Sequence, residues 1–437
     1  MTTLLAFIFV LGVLVFVHES GHFLVAKWVG VRVKVFSLGF PPKIIGRTWG
    51  DTEYRIGALP LGGYVKMAGD NPMEATGDPE EFMSRSKWER LAILVAGPLM
   101  NLVLAIIILT VLFMVGIERP AGLDDPAVVR FVAEDSPASH AGLVTGDQIV
   151  AIGGTPTASW SDALDHFLVS ANDTLTVSLL RDGETIERDV EVEARGDEEI
   201  GYVGVFPAVQ PQVLRLREDF PAVHAGMQPG DIITKVDGVP IYYFTELIDA
   251  IEATQGAPVL IRVLRVDEAL EFDLTPQKDE GRWLIGIEFN PSPMVIHRVS
   301  NPALAFAAAL GETERFTRLT FVVLGRLLSG RASVNTLSGP IGIAQASGET
   351  ARRGPRQLFM FMAFLSLNLG ILNLLPIPLL DGGHMAVIAA EGLAGRDFSL
   401  RVKERILQVG FVLLMMLMVT VFYVDLSKTD IIGKYLP

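Results

Sequence analysis

The sequence predicts a multi-pass α-helical membrane protein. It has four transmembrane helices, a membrane-associated β-sheet after the first of them, and two α+β domains inserted between the second and third. Three observations carry this. Half of the 437 residues are hydrophobic while a fifth are charged, more charge than a bare helical bundle tolerates. Four stretches are long and apolar enough to cross a bilayer. Between the second and third, a residue pattern recurs at a constant spacing of 84 positions, from Gly142 to Gly226 and from Asp147 to Asp231.

The four stretches are Leu4–Trp28, Leu91–Ile117, Gln357–Pro376 and Ile406–Val424. They define spanning segments over 1–30, 91–117, 357–381 and 404–425. The first lacks the basic start and small-residue cleavage site of a signal peptide, so it reads as a retained helix. Phe316–Leu328 is apolar but interrupted by Arg318 and Arg326. It reads as an amphipathic helix at the interface or under the soluble part, in a region of interfacial helices over 300–350. Segment 31–90 holds the alternating Val31–Val35 and the glycine-punctuated Tyr54–Met67, both β-like, then an acidic, Pro/Gly-rich loop over Asn71–Glu81. Arg85, Lys87 and Arg90 follow as a basic anchor at the inner membrane face.

Loop charge sets orientation. The short first loop is rich in Lys and Arg and belongs in the cytoplasm. Glu118–Arg298 carries 32 acidic and 13 basic residues and belongs outside, with both termini. The net charge of −14 is thus a property of the outer region and gives no reason to expect nucleic-acid binding. There is no cysteine. That excludes thiolate ligands, a cysteine nucleophile and disulfides, and leaves His, Asp and Glu to hold any metal.

The outer repeat is Ser136-Pro137-Ala138-Ser139-His140-Ala141-Gly142 before Gly146-Asp147, then Phe220-Pro221-Ala222-Val223-His224-Ala225-Gly226 before Gly230-Asp231. Each copy continues with an amphipathic helix, a β-rich segment and a glycine-centred strand, giving domains over 126–206 and 207–290. The pattern resembles PDZ domains of the circularly permuted kind found in bacterial proteases. That resemblance implies peptide or envelope-protein contact by strand addition; a role as spacer or steric filter is the other reading.

The chemistry lies in the first stretch. His18-Glu19-Ser20-Gly21-His22 interrupts an otherwise uncharged run. On a helix, HExxH sets two imidazoles one turn apart on one face, where both reach one tetrahedral zinc. Glu19 falls about 100° round the helix, near enough to handle a water. Ionisable groups inside a bilayer are costly and usually functional. A third ligand is expected at similar depth, and Asp381 ends the third apolar stretch, followed by Gly382-Gly383-His384. Two imidazoles and one carboxylate leave a fourth position open. The two glycines fit a tight break that aims Asp381 inward. His384 is a rival ligand, and a helix cap is the structural alternative for Asp381.

These motifs look like the site-2 protease family of intramembrane zinc metalloproteases, with Gly97-Pro98-Leu99-Met100-Asn101 in the second stretch and Asn373 to Gly383 in the third. The tandem PDZ-like repeats, Leu61-Gly62-Gly63-Tyr64-Val65-Lys66-Met67 and Ser338-Gly339-Pro340-Ile341-Gly342 point to its bacterial sigma-E-regulating branch. The resemblance implies one Zn²⁺ per chain on His18, His22 and Asp381, Glu19 as catalytic acid/base, and Asn373 against substrate near the scissile bond. It implies an inner-membrane enzyme acting on a previously cleaved single-span protein, of the anti-sigma factor type or a remnant signal peptide. For Asn101 it supplies no role; a buried asparagine bonding between helices is the reading.

A transmembrane substrate must unwind before cleavage, and its freed backbone then needs partners. A sheet over Val31–Met67 dipping into the bilayer would supply them at its edge, with Gly62, Gly63, Tyr64 and Val65 as candidate contacts; a hairpin that braces the spans is the alternative. A non-catalytic PDZ-bearing scaffold is the second function class, and Glu19 argues against it. Metal transport is weaker still, since no other span carries ionisable residues for a path.

Overall fold

A computed structural model describes residues 2–71, 76–196, 199–266, 268–279, 281–290, 293–333 and 337–428. In chain order the helices are α1 (Thr2–Trp28), α2 (Lys87–Val115), α3 (Pro137–His140), α4 (Trp160–Val169), α5 (Pro221–His224), α6 (Phe244–Ala253), α7 (Pro302–Leu328), α8 (Pro340–Arg353), α9 (Pro355–Leu374), α10 (Asp381–Leu393) and α11 (Leu400–Ser427). The chain divides into two units, Met1–Ile117 with Arg298–Pro437, and Glu118–His297.

In the first unit, α1, α2, α9 and α11 are long and apolar enough to span a bilayer, four such helices among the described residues. Their ends follow from local chemistry. α2 starts at Ser86, whose hydroxyl accepts from the Glu89 N–H while Glu89 returns to the Ser86 N–H, a capping box. α7, α8 and α9 begin with Pro302, Pro340 and Pro355, where a missing N–H costs nothing. α1 and α2 meet at Gly21, where an added Cβ would lie 2.3 Å from the Ala96 carbonyl oxygen, so only glycine permits the approach.

α7 extends well before the Phe316–Leu328 stretch. Ala305 and Ala309 are buried in one apolar cluster with Leu109 and Phe113 of α2, and Phe316 meets Phe364 of α9 edge-on at 5.5 Å. The small residues that permit this contact lie before the arginines that dominate the sequence pattern. Asp425, near the end of α11, is buried because it caps α8, accepting from the backbone N–H groups of Gly339, Ile341 and Gly342.

After α1, β1 (Val33–Trp49) and β2 (Thr52–Met67) pair antiparallel, and Phe36 stands opposite both Val65 and Tyr54. Residues 33–38 therefore lie between 63–67 and 53–56, and 43–49 pair with 52–57 on the far side. This leaves 63–67 as a sheet edge among the described residues. Phe36 packs on Phe16 and Phe23 at 5.9 and 5.4 Å, which fixes that end of the sheet to α1. Ile44, Ile45 and Trp49 stand exposed on the remainder. In the loop expected over Asn71–Glu81, 72–75 lie outside the described residues. The rest is organised by the Glu81 carboxylate, which accepts from Thr76 and from the Gly77 N–H.

The second unit holds two copies of one αβ arrangement. Ala138, Leu143, Ile149, Ile152, Phe167, Val177, Leu179 and Val190 form the first core. Ala222, Met227, Ile233, Val236, Ile251, Ile261, Val263 and Leu274 form the second, each at the matching position of the repeat. A buried ion pair repeats with them. Arg181 holds Asp147 at 2.6 and 2.8 Å and the Gly142 carbonyl at 2.8 Å. Arg265 holds Asp231 at 2.7 and 2.8 Å and the Gly226 carbonyl at 3.0 Å. The aspartate of each Gly-Asp motif is thus a strut that ties a turn to a strand. Burial pushes the Asp147 carboxyl up, but the Arg181 guanidinium and the Val144 N–H outweigh it and hold it below the usual carboxylate range.

Candidate metal centre

The two histidines of α1 and the first residue of α10 meet. His18 Nε2 lies 3.2 Å from Asp381 Oδ2, His22 Nε2 lies 3.4 Å from the same oxygen, and the two Nε2 atoms are 3.2 Å apart. A tetrahedral zinc with bonds of about 2.0–2.2 Å has ligand–ligand edges of about 3.3–3.6 Å. The triangle fits that size, and two imidazoles with one carboxylate form a zinc-type donor set. Among the described residues no other group of His, Asp and Glu brings three ligand atoms within 4.8 Å of one another. His384 lines the same cavity but stands outside the triangle.

Both rings are oriented from behind. His22 donates from Nδ1 to the Ile93 carbonyl of α2 at 2.8 Å, which leaves its Nε2 lone pair free for a metal. Asn101 of α2 sits 3.2 Å from His18 Nδ1 and is fully buried. With its Nδ2 facing the ring, its Oδ1 has no partner. Turning the amide by 180° lets Oδ1 accept from His18 Nδ1–H, satisfies the orphaned oxygen and frees His18 Nε2. Asn101 does bond between helices, as read from sequence, but onto a histidine of the triangle. Its own carbonyl accepts from Ser366 of α9 at 2.8 Å.

Glycines clear the space. A Cβ on Gly97 would lie 2.2 Å from His22 Nε2. Gly382 and Gly383 work differently from the expected break: they lie inside the first turn of α10, where a Cβ would come within 2.2 Å of the Leu375 oxygen and 2.3 Å of the Ile377 oxygen. The left-handed residue is Leu379, at φ 77°, just before Asp381 opens the helix.

Glu19 and the two histidines line a cavity of about 770 Å³ with Gly63, Tyr64 and Val65 of the sheet edge. The Val65 backbone faces the Glu19 carboxylate, and Gly63 lies over the Glu19 side chain, where a Cβ would be 3.1 Å from Cγ. Of the other candidate substrate contacts, Gly62 faces the Phe40 ring, and Asn373 in the last turn of α9 lies outside the cavity wall. Sequence reasoning missed Ile93 and the clearance at Gly97. The Gly97-Pro98 pair was the available signal for the second; the first had none.

A model of peptidase family M50 matches residues 6–417. The chain is 34% identical over 450 residues to the regulator of sigma-E protease RseP of Escherichia coli K12, covering 97% of this chain and 98% of that one. Salmonella typhimurium RseP is 34% identical over 451 residues, with the same coverage. A Xylella fastidiosa protein named "Putative zinc metalloprotease" is 36% identical over 435 residues, covering 95% and 96%.

Proposed function

The chain belongs to peptidase family M50 and is a metalloprotease, and from this premise we propose that it is an intramembrane endopeptidase with one zinc per chain, held by His18, His22 and Asp381. The observation that carries the assignment is the triangle of three ligand atoms, 3.2, 3.2 and 3.4 Å on its sides, beside Glu19 in one cavity. When bound, zinc supplies a Lewis acid and lowers the pKa of water to about 7. Glu19 takes the proton from the attacking water at its carboxylate and returns it to the leaving amine. Ile93 and Asn101 hold the imidazoles in the ligating tautomer. A scaffold without catalysis is set aside by the family.

The substrate is the transmembrane segment of a single-span protein already cut outside the membrane. The relatives' names support an anti-sigma factor; remnant signal peptides are a second candidate. The segment unwinds and lies against the free edge at Gly63, Tyr64 and Val65, where backbone groups replace its helix bonds. Gly62 serves this edge by admitting Phe40, and Asn373 contacts substrate only if the chain end of α9 turns toward it. The enzyme sits in a bacterial inner membrane, with the zinc toward the cytoplasm and both termini outside. The domains over 126–206 and 207–290 are PDZ-like modules on the outer side that filter substrates by size or dock peptides.

The test is incubation of detergent-purified protein with a model transmembrane substrate, with products mapped by mass spectrometry. Wild type cuts within the apolar segment and Glu19→Gln does not. Cuts confined to the substrate's soluble flanks, or equal turnover by Glu19→Gln, overturn the proposal.

A further inference from the structure

The cavity that holds the zinc ligands contains a buried cation that the reaction does not use. Arg90 opens the second turn of α2, is 6% exposed and lines the cavity. Its neighbours Arg85 and Lys87, read from sequence as a basic anchor with it, are otherwise engaged. Arg85 donates to the Gly30 carbonyl at 2.6 Å and Lys87 pairs with Asp397 at 3.0 Å. Arg90 has only the Met83 sulfur at 3.6 Å, its Nε has no partner, and no carboxylate of the described residues forms an ion pair with it. Two acids lie near it and each is paired with another cation, Glu391 with Lys403 at 2.8 Å and Asp397 with Lys87 at 3.0 Å. A guanidinium out of water without a hydrogen-bonded carboxylate of its own is unfavourable, and a cavity built round one favours an anion.

Resting on the protease reading, we propose that Arg90 forms a subsite for an acidic side chain of the substrate. The register follows from the helix. Ile93, whose carbonyl holds His22, lies three residues after Arg90, a rise of about 4.5 Å. An extended substrate advances about 3.3 Å per residue. Allowing for the reach of both side chains, the acid sits roughly two to four residues from the scissile bond. Val65, Met67 and Asp70 line the same cavity as Arg90. A carboxylate accepts two parallel N–H bonds from a guanidinium, and no neutral side chain matches that. The subsite thus selects among unwound segments by charge at one position. The sheet edge, which reads backbone, cannot make that choice.

The experiment walks Asp, Asn and Lys singly through four positions on each side of the cleavage site of a model transmembrane substrate. kcat/KM is measured with zinc-loaded wild type, Arg90→Gln and Arg90→Glu in liposomes, with zinc content checked in each. The wild type should favour Asp over Asn about tenfold at one register. That ratio should fall to about one in Arg90→Gln and invert in favour of Lys in Arg90→Glu. Uniform cleavage of the panel by wild type, a measurement that needs no variant, overturns the subsite and leaves the protease reading standing. An Asp preference that survives in Arg90→Gln also overturns it. So does a wild-type rate that depends on phosphatidylglycerol through Arg90 without substrate charge preference, since Arg90 would then hold a lipid phosphate. No cleavage of any substrate by zinc-loaded wild type takes down both readings.

Discussion

Gly97→Ala should disable the metal centre although it adds one methyl group in a helix. The new Cβ would fall 2.2 Å from His22 Nε2, 2.6 Å from Cε1 and 2.8 Å from Cδ2. Ordinary contact begins near 3.4 Å, so ring or helix must retreat by roughly 1 Å, against a tolerance in metal–ligand distance of about 0.2 Å. The ring has no free direction, because its Nδ1–H is bonded to the Ile93 carbonyl at 2.8 Å. Retreat breaks that bond or pulls Nε2 out of the ligand triangle. Loss of such a supporting bond alone weakens metal binding about 10–100-fold. Displacement of the ligand adds to this, so a loss of at least about 100-fold is expected, or about 2.8 kcal/mol. Helix propensity works the other way, since alanine is favoured over glycine by about 1 kcal/mol. The assay is zinc affinity by chelator competition in detergent, with Gly12→Ala as control: that glycine, also in a spanning helix, has nothing within 4 Å of an added Cβ. Gly97→Ala should lose zinc and Gly12→Ala should keep it. Wild-type affinity in Gly97→Ala would refute the geometry of His22.

Three further outcomes follow from the same contacts. Asn101→Leu should weaken zinc binding about 10–100-fold while Asn101→Asp, which still accepts from His18 Nδ1–H, retains it; chelator competition separates them, and equal affinity would leave Asn101 a purely interhelical bond. Arg181→Ala leaves Asp147 buried without its partner and should destabilise the first outer repeat by about 3 kcal/mol at neutral pH. Because pairing depresses the Asp147 carboxyl, that loss is full above the ordinary carboxylate range and shrinks as pH falls through the folded-state value, where both forms are protonated; hydrogen exchange at Ile149 and Leu179 reads it. Val65→Pro removes an N–H from the sheet edge that lines the cavity beside Glu19 and should cripple cleavage far more than Val65→Ala, with zinc content normal in both.

The parts of the site that depend on local spacing were legible in the sequence. His18 and His22 are one helical turn apart wherever a helix forms, and an acid such as Asp381 at the end of an apolar run is conspicuous. The repeat was equally plain, because Asp147 and Asp231 each anchor the same arginine strut at the same offset. What could not be read depends on contacts distant in sequence. The Ile93 carbonyl meets His22 across 71 positions and Asn101 meets His18 across 83, and neither leaves a local pattern. The same holds for α7, whose packing face is set by Ala305 and Ala309 rather than by the arginines further on. It holds too for Arg90, whose charge suggested a basic anchor at the inner membrane face but whose buried side chain lines the cavity. Gly382 and Gly383 show a subtler limit: close backbone approach and positive φ both call for glycine, and only the structure separates them.

The central claim is that His18, His22 and Asp381 hold the zinc and Glu19 moves the proton. It is tested most directly by measuring zinc content and substrate cleavage on the same preparations of wild type, Glu19→Gln, Asp381→Ala and His384→Ala. The account predicts full zinc without cleavage in Glu19→Gln, loss of both in Asp381→Ala, and retained zinc in His384→Ala. Full zinc in Asp381→Ala together with loss in His384→Ala would contradict it.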